Sequence, residues 1–182
     1  MLCQRKGAFL KVVPVDDDGY LMLDKLESLI SDKTRIVAVT HISNVLGLIN
    51  PVKDIVSICH SRGVPVLIDG AQGAVHCRVD VQDYDCDFYV FSGHKLYAAT
   101  GTGVLYGKKE LLDEMPPYMG GGEMVGTVSF EETTYAPLPM KFEAGTQNFA
   151  SAATLKSAIE FTNLLNDNEL VDKLDKIRDY LL

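Results

Sequence analysis

Long apolar runs are missing from this 182-residue chain. None approaches the ~18 residues a membrane-crossing helix needs, so no membrane association is expected. The first twenty residues, MLCQRKGAFLKVVPVDDDGY, do not read as a signal peptide. Lys11 breaks the apolar part, and no small-residue cleavage site follows. Basic charge is short: 17 Lys and Arg face 25 Asp and Glu, for a net charge of -8, and the cations are scattered. Nucleic acid is therefore not an expected partner. Cysteine is sparse. Cys3, Cys59, Cys77 and Cys86 form no CxxC pair and do not amount to a disulfide scaffold. They read as free thiols of a cytoplasmic protein, each placed for packing rather than chemistry. No His/Cys/Asp/Glu spacing matches a zinc site, and no GxGxxG or Walker loop occurs. Repeats and low-complexity tracts are absent as well.

What is present suits one globular domain with a substantial core: 47% hydrophobic and 23% charged residues. FLKVVPV reads as a short strand, followed by a turn at DDDGY and helical apolar spacing in LDKLESLI. TRIVAVTHIS is a β-branched strand. The helix PVKDIVSICHSRG follows, with Pro51 suited to its first turn and Gly63 to its stop. VPVLIDGAQG, CDFYVFSGHK and GTGVLYG are further strands, and KKELLDEM begins a helix. Residues 116–148 read as loop-rich. SAATLKSAIEFTNLL and NELVDKLDKIRDYLL read as helices. Strand and helix alternate over residues 34–70, and IVAV and VLID are continuously apolar, as strands covered on both faces are. The expected architecture is α/β, a mostly parallel, mixed sheet with flanking helices.

In such sheets ligands bind beyond the carboxyl ends of the strands. Asn44, Asp69 and Lys95 fall at or just after such ends. Asp69 is followed by small residues, GAQG, which allow close approach, although a carboxylate there also serves as a helix cap or loop ligand. Lys95 alone is equally open: a solvated surface amine, or a nucleophile toward carbonyls if partly withdrawn from water. A cofactor aldehyde would engage it, and pyridoxal phosphate also needs an acid for its ring nitrogen and donors for its phosphate. Asp69 can be the first; Ser92, His94 and nearby backbone can supply the second. The glycines of GTG at 101 and 103 allow close backbone approach or simply a turn. His41 reads as a hydrogen-bonded structural residue, and His60 and His76 as surface or supporting residues.

Five blocks go further. THISNVLG, VLIDGAQGAVH, DCDFYVFSGHKLY, GTGVLYGKKELLDEMPPYMGGGEM and KFEAGTQNFA occur in this order. Together they resemble the class V aminotransferase group of pyridoxal phosphate enzymes, and within it the SufS-type (group II) cysteine desulfurases. The resemblance runs from about residue 5 to 165. It implies the large domain of the type I fold of pyridoxal phosphate enzymes over residues 1–165, with residues 166–182 leading toward a small domain. By resemblance Lys95 binds the cofactor aldehyde and later moves protons at the substrate α-carbon. Asp69 pairs with the pyridine nitrogen. Asn44 and Gln72 bond the phenolic oxygen side, Ser92 and His94 contact the phosphate, and Thr146 reaches the phosphate of a neighbouring subunit in a homodimer. The implied reaction converts L-cysteine to L-alanine, leaving a persulfide that a sulfur-acceptor protein collects for iron–sulfur clusters.

The departures set further expectations. The family is longer than this chain. Upstream of residue 1 it has a phosphate-binding Thr loop and a ring-stacking His. Downstream of residue 182 it has a nucleophilic Cys loop and a substrate-clamping Arg. None of the four cysteines here occupies the nucleophile's place. The chain is thus expected to be an incomplete cofactor domain, inactive in isolation. Ala98-Ala99 stand where the family prefers Gly-Pro, and Gln147 where Pro is usual. Two other readings remain: a selenocysteine lyase or another class V enzyme, or a non-catalytic remnant serving an interaction.

Overall fold

A computed structural model of the chain describes residues 1–167 and residues 173, 176, 177 and 180. The expected helix over 168–182, and with it the 166–182 segment, otherwise lies outside the described residues. The elements run α1 (Leu2–Lys6), α2 (Leu23–Leu29), β1 (Val37–Thr40), α3 (Val52–His60), β2 (Val66–Asp69), α4 (Gly73–His76), α5 (Val81–Tyr84), β3 (Phe88–Ser92), β4 (Gly103–Gly107), α6 (Lys109–Glu114), β5 (Val125–Val128), β6 (Thr133–Tyr135) and α7 (Phe149–Asp167). A 3₁₀ turn over Gly93–Leu96 follows β3.

Strands β1 to β4 form one sheet in that order. β1 and β2 run parallel, with Val37 beside Val66 and Thr40 beside Asp69. β2 and β3 are also parallel, Asp69 lying beside Val90. β4 turns back antiparallel, Ser92 opposite Gly103. The sheet is therefore mixed and mostly parallel, as the alternation of elements predicts.

Side chains alternate across a strand, so register fixes which residues share a face. Val66, Ile68 and Tyr89 point to the side covered by α2 and α3. There they meet Leu26, Ile30, Val52, Ile55, Val56 and Cys59, all buried. Burial of such side chains contributes roughly 1.5–3 kcal/mol each, which makes this face the main source of stability. Asp69, Val90, Ser92 and Gly103 alternate to the other side. That side is thinly covered, with Leu105 53% exposed.

Two expectations are corrected. FLKVVPV is not a strand: Val15 makes one isolated bridge to Leu21, and no ladder forms. Its alternation of branched residues is right, but among the described residues no strand runs beside it, and Phe9 is 95% exposed. The loop-rich region 116–148 also holds a short hairpin. β5 and β6 pair as an antiparallel hairpin whose turn Ser129 closes by accepting the amides of Glu131 and Glu132. Pro51 caps α3 rather than opening its first turn. Among the described residues no helix is long and apolar enough to cross a membrane.

Candidate active site

The carboxyl ends of β2 and β3 lie side by side because the strands are parallel and in register. β2 ends at Asp69. β3 runs on to Ser92 and passes into the 3₁₀ turn carrying His94 and Lys95. Asn44 follows β1 on the same lip, since the His41 amide donates to the Asp69 carbonyl at 2.8 Å. Gln72 sits at the N-cap of α4. Over this lip opens a cavity of about 510 Å3, walled by Asp69, Ala71, Val90, Ser92 and the Gly101–Gly103 segment.

Along this lip the polar groups differ in how far they are committed. Asp69 is exposed, and one oxygen, Oδ1, accepts the Ala71 amide at 2.9 Å. Its other oxygen has no protein partner among the described residues. Ser92 Oγ and His94 Nδ1 share a hydrogen bond of 2.8 Å, so the two form one polar unit. Lys95 is exposed, and no hydrogen bond or ion pair engages its amine among the described residues. Of the expected site residues, Asp69 and Ser92 line the cavity wall, while Asn44, Gln72, His94, Lys95 and Thr146 do not. Thr146 is exposed on the loop before α7. The structure thus brings Asp69, Ser92, His94 and Lys95 to one lip, sets Asn44 and Gln72 on its margin and leaves Thr146 apart.

The glycines of GTG serve both purposes left open by the sequence. Gly101 has φ +85°, a conformation most side chains avoid. A Cβ on Gly103 would stand 3.0 Å from the Phe91 carbonyl oxygen, so β4 can close on β3 only with glycine there.

Beneath the lip lies an uncharged strut. His41 is 3% exposed and its Nδ1 shares a 3.0 Å hydrogen bond with the Tyr89 hydroxyl. It meets the Tyr84 ring edge-to-face at 5.3 Å. Burial holds the imidazole below its ordinary range and pushes the Tyr89 phenol up. Both groups are neutral and structural, as expected of His41. The cysteines fit their packing role too. Cys59 and Cys86 are fully buried, and burial pushes each thiol up to about 11. Neither can serve as a nucleophile at neutral pH.

Sequence reasoning missed a second polar centre at the opposite, amino end of the sheet. Asp87 Oδ2 accepts the buried Val66 amide at 2.7 Å and lies 2.8 Å from His60 Nε2. Lys108 Nζ lies 2.7 Å from Asp85 and 3.4 Å from Asp87, while His60 Nδ1 is 3.4 Å from Asp85. His60 is thus part of an ion network rather than a surface residue. Its partners lie more than twenty positions away in sequence, so no local pattern announces it. The hydrogen bond from Lys108 holds the Asp85 carboxyl below its usual range.

A strand-end carboxylate, an uncommitted lysine on the next strand's turn and a serine–histidine pair beside a glycine-walled cavity define a cofactor-binding α/β domain. The chain belongs to the aminotransferase class-V family, whose sequence profile matches residues 1–182. It is 52% identical to a cysteine desulfurase of Cronobacter sakazakii over 181 residues, which is 99% of this chain and 43% of that protein. The crystal structure of the cysteine desulfurase CsdA of Escherichia coli superposes with a TM-score of 0.85 at 46% identity, covering 92% of this chain and 41% of that one. The apo cysteine desulfurase of Thermococcus onnurineus gives a TM-score of 0.83 at 35% identity, covering 90% and 41%. The chain therefore spans less than half the length of the relatives it matches.

Class V aminotransferases and cysteine desulfurases depend on pyridoxal phosphate, and the residues here fit that group. The free carboxylate oxygen of Asp69 suits a protonated ring nitrogen. The Ser92–His94 unit and the glycine-lined wall suit a phosphate, and the unpaired Lys95 amine suits an aldehyde.

Proposed function

We propose that this chain is the cofactor-binding part of a pyridoxal phosphate-dependent cysteine desulfurase. The observation that carries the reading is the pairing of Asp69 and Lys95 on adjacent parallel strand ends, each with chemistry left unspent. When bound, pyridoxal phosphate supplies an aldehyde and a ring that withdraws electrons from the substrate α-carbon. Asp69 would hold the ring nitrogen in its protonated form by accepting its proton in a hydrogen bond. Asn44 and Gln72 would orient the phenolic side, and Ser92 with His94 would bind the phosphate. Lys95 Nζ would anchor the group and then move the proton at the α-carbon of L-cysteine. Residues 1–165 make up the cofactor domain in this reading, with residues 166–182 leading away from it.

The identity to named cysteine desulfurases favours L-cysteine over selenocysteine and favours a homodimer in which Thr146 serves the neighbouring site. A sulfur-acceptor protein would collect the persulfide. Neither buried cysteine, Cys59 or Cys86, would form it.

The test is addition of pyridoxal phosphate to the chain. A visible absorbance band should appear in the wild type and be absent from Lys95→Ala. A band of equal strength in both would remove Lys95 from the site and sink the reading.

A further inference from the structure

The turn that carries Lys95 closes on itself as far as Ala98, since the Tyr97 and Ala98 amides both donate to the Gly93 carbonyl, but Ala99 and Thr100 lie beyond that local ladder. Tyr97 lies in the left-handed region at φ +64°, a conformation a bulky residue keeps only where its surroundings enforce it. The two alanines bring no side-chain hydrogen bonds. The fixing comes from α7, far away in sequence. The Ala99 amide donates to Thr154 Oγ1 at 3.0 Å. The Thr154 hydroxyl in turn donates to the Ser151 carbonyl at 2.6 Å, so its hydrogen is committed and a lone pair is left facing Ala99. Tyr97 meets Phe161 edge-to-face at 5.2 Å. At the near end of the turn, a Cβ on Gly93 would stand 3.2 Å from Leu155 Cδ2, so α7 rests directly on the backbone that carries Lys95.

We propose that Thr154 is a positioning residue for Lys95: its hydroxyl pins the Ala99 amide and so fixes the turn from which the lysine projects. Resting on the cofactor-site reading above, the inference adds a residue that nothing in the cavity wall reveals. It also accounts for Ala98-Ala99. A proline at position 99 would set its own φ and need no partner for an N–H. Alanine has both the freedom and the N–H, and Thr154 takes up each. The Tyr97–Phe161 ring pair is the second latch. It seats the left-handed residue but does not reach the amide beyond it.

The experiment combines pyridoxal phosphate titration, followed by the visible band, with amide hydrogen exchange over residues 93–101 of the cofactor-free chain. Thr154→Val keeps the side chain's shape and removes the acceptor, with Thr154→Ala as a second variant should the first fail to fold. Either should weaken pyridoxal phosphate binding about tenfold and speed exchange of the Ala99 amide by a similar factor. Thr154→Ser should hold both within about twofold of wild type. Adding Ala99→Pro to Thr154→Val should restore the affinity, which a merely structural threonine would not allow. Wild-type affinity in Thr154→Val, loss in Thr154→Ser equal to that in Thr154→Val, or no recovery with Ala99→Pro would each overturn the proposal. Should the wild-type chain bind no pyridoxal phosphate, the cofactor-site reading fails on its own account. The exchange data then decide, and equal protection of Ala99 in wild type and Thr154→Val overturns the latch.

Discussion

Asp69 and Asp87 sit at opposite ends of neighbouring strands, and one chemical group does opposite things in them. Asp87, at the amino end of β3, is 6% exposed and is saturated by the Val66 amide, His60 and Lys108. Asp69, at the carboxyl end of β2, is exposed and spends one oxygen on Ala71. A buried carboxylate with both oxygens engaged is part of the framework. A carboxylate with an oxygen to spare beside a cavity is available to something else. The sheet thus keeps its structural charge at one end and its chemical charge at the other. Parallel strands permit this because all of β1 to β3 end on the same lip.

The largest expected effect breaks this contrast from the structural side. Asp87→Ala leaves the Val66 amide without an acceptor inside the core and should cost about 3 kcal/mol, read as a fall in the urea midpoint. Asp69→Ala should stay within about 1 kcal/mol of wild type in the same assay. Equal losses would mean that both carboxylates are framework. From the chemical side, Asp69→Ala should weaken pyridoxal phosphate binding about tenfold or more, while folded Asp87 variants retain it. A smaller effect is expected at His60. His60→Gln keeps a donor toward Asp87 but loses the reach to Asp85, for about 1 kcal/mol by urea titration.

A separate expectation is a pH dependence. Cys59 and Cys86 hold their protons in the folded chain up to about 11, against an ordinary value of 9.0. Between those values the unfolded chain releases protons that the folded chain keeps, so stability should fall as pH rises from about 9 to 11 and be unaffected by these thiols below that window. Replacing both by Ala should flatten this limb relative to wild type, measured by urea midpoints at pH 8 and 10. An unchanged slope would show that the thiols titrate alike in both states.

Much of this was legible in the sequence, and for physical reasons. Strands β1, β2 and β3 announce themselves as branched or aromatic runs because they pack against helices. The rule that ligands gather beyond their carboxyl ends then singles out Asn44, Asp69 and Lys95 without coordinates. FLKVVPV carries the same signal yet forms no ladder, because a strand is a property of two segments and among the described residues none pairs with it beyond the Val15–Leu21 bridge. The β5–β6 hairpin went unread for the converse reason. Thr127, Val128, Thr133 and Thr134 are all exposed, so neither face offers an apolar alternation. The Asp87 network and the Thr154 latch were illegible because their partners meet only through the fold.

The two glycines under the lip carry a consequence for how this sequence can vary. A Cβ at Gly70 would overlap the Tyr89 ring, and one at Gly73 would overlap the His41 imidazole. Any larger residue at either position must therefore arrive together with a smaller one at 89 or 41. Single replacements should be harmful while matched pairs are tolerated, a non-additive coupling of neighbours in contact. These four positions drift as a group or not at all, and a library that varies them one at a time will find every door shut.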